Sequence, residues 1–125
     1  MTPVRVFALA GAVLGLVAVA LGAFGAHALR SRVAPELVAT FETGVRYHVY
    51  HALALFACAW AMDRWPSPQV VWAGGLFVTG IVLFSGSLYL LTLTGARWWG
   101  AVTPLGGLAF LAGWVCLAWG VARGA

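Results

Sequence analysis

The chain has 125 residues, 63% hydrophobic and 8% charged, with a formal net charge of +4 from seven arginines against three acidic residues. Soluble domains average about 45–50% apolar and about 25% charged residues. This composition therefore excludes a soluble globular domain, a disordered chain and a disulfide scaffold, and leaves a multi-spanning, all-α membrane protein.

Charges punctuate four apolar runs, which predict spans at about 6–28, 45–63, 69–94 and 100–122 within one integral membrane domain, residues 1–125. The arginines that separate the runs suit phospholipid head groups, and no nucleic-acid partner is expected. In the first run, Arg5 and the Ala26-His27-Ala28 site imitate a signal peptide. The apolar stretch of about 20 residues exceeds the roughly 7–15 of a signal core, so a retained helix is predicted. The second run is short alone and is expected to continue a helix begun at Pro35, where a missing N–H costs nothing. Residues 35–62 as one helix would reach roughly 42 Å, beyond the ~30 Å hydrocarbon core. Glu36, Glu42 and Arg46 then belong at or outside the interface, with a bend at Gly44. Glu42 and Arg46, at i and i+4, are spaced to pair along the helix.

The third helix has Ser67 as a predicted N-cap and Pro68 in its first turn. In the fourth, Pro104 either starts the helix, with Trp98 to Thr103 along the interface, or kinks a longer one. Trp60, Trp65, Trp72 and Trp119 near one set of helix ends, and Tyr47, Tyr50, Trp98 and Trp99 near the other, suggest two aromatic belts. Four spans in an antiparallel up-down bundle put both termini on one side. Arginines near the helix ends are almost evenly divided, so the positive-inside rule sets no orientation.

Lipid supplies no hydrophobic drive between helices, so small residues mark their contacts. Gly11, Gly15, Ala18, Gly22 and Gly25 form one such stripe; Gly106, Ala109, Gly113, Cys116 and Gly120 form another. His51, Ala54, Cys58 and Ala61 continue a third from Tyr47. The alternating spacing of 3 and 4 is that of a left-handed bundle, and both cysteines are expected to act as small packing residues. Thr43–Tyr47 and Thr94–Trp98 form a weak repeat, either a duplicated hairpin or two solutions to one interface.

The polar residues gather in the half away from the termini: His27, Glu42, Arg46, His48, His51, Ser85, Ser87, Tyr89, Thr92 and Thr103. Polar groups in a bilayer are costly and are functional candidates by default. Three readings of the histidines compete: they join helices by hydrogen bonds, they bind a proton or small polar ligand, or they ligate a metal or haem. His48 and His51 are at i, i+3, not the i, i+4 of a helical zinc site, so no metal or cofactor is expected. No nucleophile–base motif, nucleotide loop or intramembrane carboxylate pair is present, so no catalytic residue is assigned and an enzyme is disfavoured.

The stretches GAFGAHAL (22–29), FETGVRYHVYHALAL (41–55), LFSGSLYLL (83–91) and TPLGGLAFLAGW (103–114) resemble the small bacterial and mitochondrial membrane proteins catalogued as domain of unknown function 423. The resemblance covers about residues 8 to 119. It implies a four-helix inner-membrane protein and no particular reaction. The family pattern matches at His27, Glu42, Arg46, Tyr47, His51, Ser85, Ser87, Tyr89, Pro104 and Trp114. His48 departs from it, Gln being expected there. The leading expectation is a non-enzymatic accessory subunit of the cytoplasmic membrane, forming a homo-oligomer or part of a larger membrane complex. The alternative is a transporter or ligand-binding protein with a polar half-cavity around His51, Ser85, Ser87 and Tyr89, its binding candidates extending to His27, Glu42, Arg46 and Tyr47.

Overall fold

In the computed structural model, which describes residues 1–124, each helix starts where the chain supplies a proline in the first turn. α1 (Pro3–His27) is capped by Thr2, whose hydroxyl oxygen accepts from the Arg5 amide at 3.3 Å. A short 3-10 turn (Leu29–Ser31) leads to α2 (Pro35–Arg64). α3 (Pro68–Thr94) begins at the Ser67 cap, which accepts from the Val70 amide. It stops at Gly95, whose φ of 71° lies in the left-handed region that glycine enters without a Cβ penalty. A 3-10 segment (Arg97–Ala101) precedes α4 (Thr103–Arg123). Pro104 therefore starts the last helix rather than kinking it. No strand occurs among the described residues.

α2 is helical throughout its 30 residues, Gly44 included. Gly44 admits α3: a Cβ there would lie 2.9 Å from the Tyr89 ring and 3.3 Å from the Leu88 Cβ. One local expectation is corrected. The Thr43–Tyr47 and Thr94–Trp98 repeat is not a structural one. The first copy lies inside α2, and the second spans the end of α3 and the turn after it.

α3 also contains a feature that periodicity did not predict, a π-helical segment at Ile81–Ser85, closed by the Gly86 amide on the Ile81 carbonyl. The extra residue turns the following side chains about 100° around the helix. Here α3 approaches both neighbours almost backbone to backbone. A Cβ on Gly106 of α4 would meet the Phe84 Cα at 2.7 Å, while the Ser85 hydroxyl donates to the Gly44 carbonyl of α2 at 2.6 Å.

The Pro3–Ser31, Pro68–Thr94 and Arg97–Arg123 stretches are long and apolar enough to cross a membrane. α2, with its acidic residues and histidines, falls outside that set, yet it contributes the most buried side chains. The most polar helix is thus the one its neighbours enclose, as expected where the solvent is hydrocarbon. Gly11 of α1 lies against Ala52 and Phe56 of α2, Gly22 against Val45, and Gly25 against Phe41. Gly106, Gly113 and Gly120 of α4 lie against Phe84, Phe77 and Val70 of α3. In both pairs residue numbers rise along one helix as they fall along the other. The small-residue stripes are the contact seams, except at Gly15, which has open space around it.

Candidate functional site

His51 lies one turn inside α2 from Tyr47 and is 4% exposed. Its Nδ1 is 2.7 Å from the Tyr47 carbonyl. A carbonyl only accepts, so Nδ1 carries the proton and Nε2 holds a lone pair. Trp114 of α4 donates its indole N–H to that lone pair at 3.1 Å. Both ring nitrogens are satisfied and the ring is neutral. It stacks on Phe110, with centroids 3.6 Å apart and planes 8° from parallel. Tyr47, Tyr50, Phe84, Pro104 and Leu111 complete an open, largely apolar groove of about 760 Å³ between α2, the π segment and α4.

His48, one residue short of a turn away, faces elsewhere. It is 2% exposed, and its Nδ1 lies 2.8 Å from the Tyr89 hydroxyl. Its Nε2 is buried and has no close, well-aligned hydrogen-bond partner among the described residues, although the Leu14 carbonyl of α1 approaches the ring as a weak acceptor. His48, Ser87 and Tyr89 line a second cleft, of about 450 Å³, between Val17 and Leu21 of α1 and Ile81 and Leu90 of α3.

The expected single half-cavity is therefore divided. His51 and Tyr47 open toward α4, and Ser87 and Tyr89 toward α1. Ser85 opens to neither; it is fully buried on the Gly44 carbonyl. Ser87 donates to the Phe84 carbonyl and lies 2.6 Å from the Thr103 hydroxyl. Thr92 reaches the Leu37 carbonyl at 3.3 Å and its own Leu88 carbonyl at 2.9 Å.

The remaining candidates sit at the end of the molecule. Glu42 pairs not with Arg46 but with Arg30 of the α1–α2 connection, at 3.1 Å. The connection folds Arg30 back beside the carboxylate, while Arg46 and His27 are exposed. Among the described residues no three metal-ligating side chains converge. Two residues gained importance beyond their sequence signal. Trp114 was carried only by family resemblance, although an indole N–H in mid-span, away from both belts, already requires an internal acceptor. His48 was discounted as an exception to the family pattern, and its orphaned nitrogen depends on where α1 and α3 pass.

The likeness to known proteins covers most of the chain. It is 47% identical over 114 residues to the UPF0382 membrane protein YwdK of Bacillus subtilis, covering 90% of this chain and 93% of that one. It is 44% identical over 112 residues to the UPF0382 inner membrane protein YgdD of Escherichia coli K12, covering 90% and 86%. It is 42% identical over 113 residues to the UPF0382 membrane protein SH2409 of Staphylococcus haemolyticus, covering 90% and 92%. No solved structure matches it. With residues 21–107 matching the model of the protein family of unknown function DUF423, and with helices apolar enough to span a bilayer, the chain belongs to that family of membrane proteins.

Proposed function

We propose that the protein is a non-enzymatic, multi-pass subunit of the cytoplasmic (inner) membrane that acts by assembling, with itself or within a larger complex. In this reading all four helices cross the bilayer as an antiparallel up-down bundle, with both termini on one side. α2 spans because α1, α3 and α4 shield its polar groups. The observation that carries the reading is the saturation of His51: Nδ1 is spent on Tyr47 and Nε2 on Trp114. A relay or transport site needs a group free to exchange partners, and this one is locked between helices. Ser85, Ser87 and Thr92 likewise bond to the protein itself. The names of the relatives, membrane and inner membrane proteins, support the location.

Purification in a mild detergent followed by native mass spectrometry is expected to give a homo-oligomer or a defined larger complex; a clean monomer overturns the assembly reading. His51→Ala is expected to lower the melting temperature while leaving the protein in the membrane, since it removes one bond within α2 and one to Trp114 of α4, worth about 1 kcal/mol each, and the Phe110 stack. Reporter fusions at the two termini are expected to respond alike, and opposite responses overturn the four-span topology.

A further inference from the structure

The groove over His51 stops halfway along the bundle, and its depth and charge together describe an occupant. The His51 and Phe110 rings, 8° from parallel, form a flat floor. Leu108 and Leu111 on its α4 side are 63% and 65% exposed. The lining runs along α4 from Pro104 to Trp114, about 15 Å at 1.5 Å per residue. That is half of the ~30 Å hydrocarbon core, the reach of an acyl chain in one leaflet. Beyond Trp114 the groove is closed, where Leu117 of α4 and Cys58 of α2 join one buried cluster. A membrane-spanning helix of a second copy would run on past this point, whereas an acyl chain ends there.

The open end of the groove carries a positive charge. α2 and α4 both begin at this end, from Pro35 and Thr103. Side chains lean toward a helix N-terminus, so Tyr47, Tyr50 and Arg46 of α2 all lean outward toward the head groups. Arg46 is exposed and lies one turn before Tyr50, which lines the groove and is 51% exposed. All three acidic residues of the chain are on α2, and none compensates Arg46. Glu42 is held by Arg30, while Glu36 and Asp63 lie about 15 and 25 Å away along the helix. We propose that the groove holds one anionic phospholipid of the adjacent leaflet, with an acyl chain over His51 and Phe110 and its phosphate on the Arg46 guanidinium. A guanidinium matches a phosphate with two parallel N–H donors. A zwitterionic lipid offers the same phosphate, but its ammonium group offsets the attraction, so net negative charge is preferred. The lipid needs only one copy of the bundle, and its binding does not depend on assembly.

The test is native mass spectrometry of the purified full-length protein released from vesicles of equal parts phosphatidylglycerol and phosphatidylcholine, counting each lipid retained per protomer. The wild type is expected to keep one phosphatidylglycerol in preference to phosphatidylcholine. Arg46→Gln, at an exposed position, is expected to reduce that preference about fivefold. Gly107→Leu is the second variant. Gly107 lines the groove, and an added Cβ finds only the Phe84 ring, at 4.0 Å, so the side chain enters the groove and not the protein. It is expected to abolish retention of both lipids. Gly15→Leu makes the same change on α1, where the glycine also has open space but no groove residue beside it, and is expected to keep the wild-type lipid. Equal retention of the two lipids by the wild type, a preference that survives Arg46→Gln, or retention unchanged in Gly107→Leu overturns the proposal. So does a wild type that keeps no lipid but loses its oligomeric state on Gly107→Leu, which would assign the groove to a second copy.

Discussion

The region around Phe7 and Val70 and the region around the histidines are held together by different physics. In the first region, rings and branched side chains fill glycine-floored hollows, Phe7 over Gly74 and Val70 over Gly120, and Phe77 over Gly113 continues the row up to His51. Cys58, Ala61 and Ala73 are fully buried beside them. Toward the other end the contacts are hydrogen bonds that cross from one helix to the next, Ser85 to Gly44, Thr92 to Leu37, His48 to Tyr89, Ser87 to Thr103. In hydrocarbon, burying apolar surface against another helix gains little over burying it in lipid, so association rests on close packing and on hydrogen bonds. Glycine-floored contacts run through both regions, Gly25 on Phe41 and Gly106 on Phe84 included, but the hydrogen bonds between helices are gathered around the histidines. Close packing tolerates no added atoms, whereas a hydrogen bond in a membrane contributes modestly, because the separated helices also find partners. Glycine positions and hydrogen-bonding positions should therefore respond very differently to substitution.

The largest effect is expected where backbone meets backbone. An added Cβ on Gly106 collides with the Phe84 main chain, which the π segment holds against α2 through Ser85. Neither side can rotate away, so Gly106→Ala should cost about 3 kcal/mol. Gly113→Ala adds the same atom against the movable Phe77 ring, with the Ala73 carbonyl at 3.4 Å, and should cost about half as much. Chemical unfolding in detergent measures both. Equal costs would mean that the π segment yields and that the junction is softer than the helix contacts near the termini.

A smaller loss is expected where only a hydrogen bond is removed. Ser85 is fully buried and donates to the Gly44 carbonyl, a group that also serves the α2 helix. Ser85→Ala leaves no donor stranded and removes little volume, so about 0.6 kcal/mol is expected. The same unfolding measurement checks it. A loss as large as that of Gly106→Ala would make Ser85 the lock of the π segment and erase the contrast between close packing and hydrogen bonding.

The helices, their proline starts and their contact seams were legible because each follows from local pattern. Charges bound the runs, proline favours a first turn, and small residues recur at spacings of 3 and 4. The site was legible only as a list. A π turn is a one-residue insertion in hydrogen bonding with no change in composition, so the reading of α3 could not place Ser85 on Gly44 while turning Ser87 and Tyr89 toward α1. Nor could spacing on α2 separate His48 from His51. Their faces differ by about 60°, and only the paths of α1 and α4 decide which neighbour each ring meets.

The same distinction between local spacing and tertiary path governs the smallest expected effect. Glu42 and Arg46 have the right separation for a helical ion pair, yet the carboxylate takes Arg30, twelve residues earlier, because the 3-10 turn returns that side chain across the start of α2. Both side chains are well exposed, 64% for Arg30 and 43% for Glu42. Water and salt screen such a pair, and ordering two long side chains offsets part of its attraction. Glu42→Gln keeps an oxygen that accepts from the guanidinium and removes only the charge, so stability should fall by less than about 0.5 kcal/mol, with the difference vanishing in high salt. A loss above 1 kcal/mol that persists in salt would place the pair in a low-dielectric setting, and the polar half of the bundle would then extend through the α1–α2 connection.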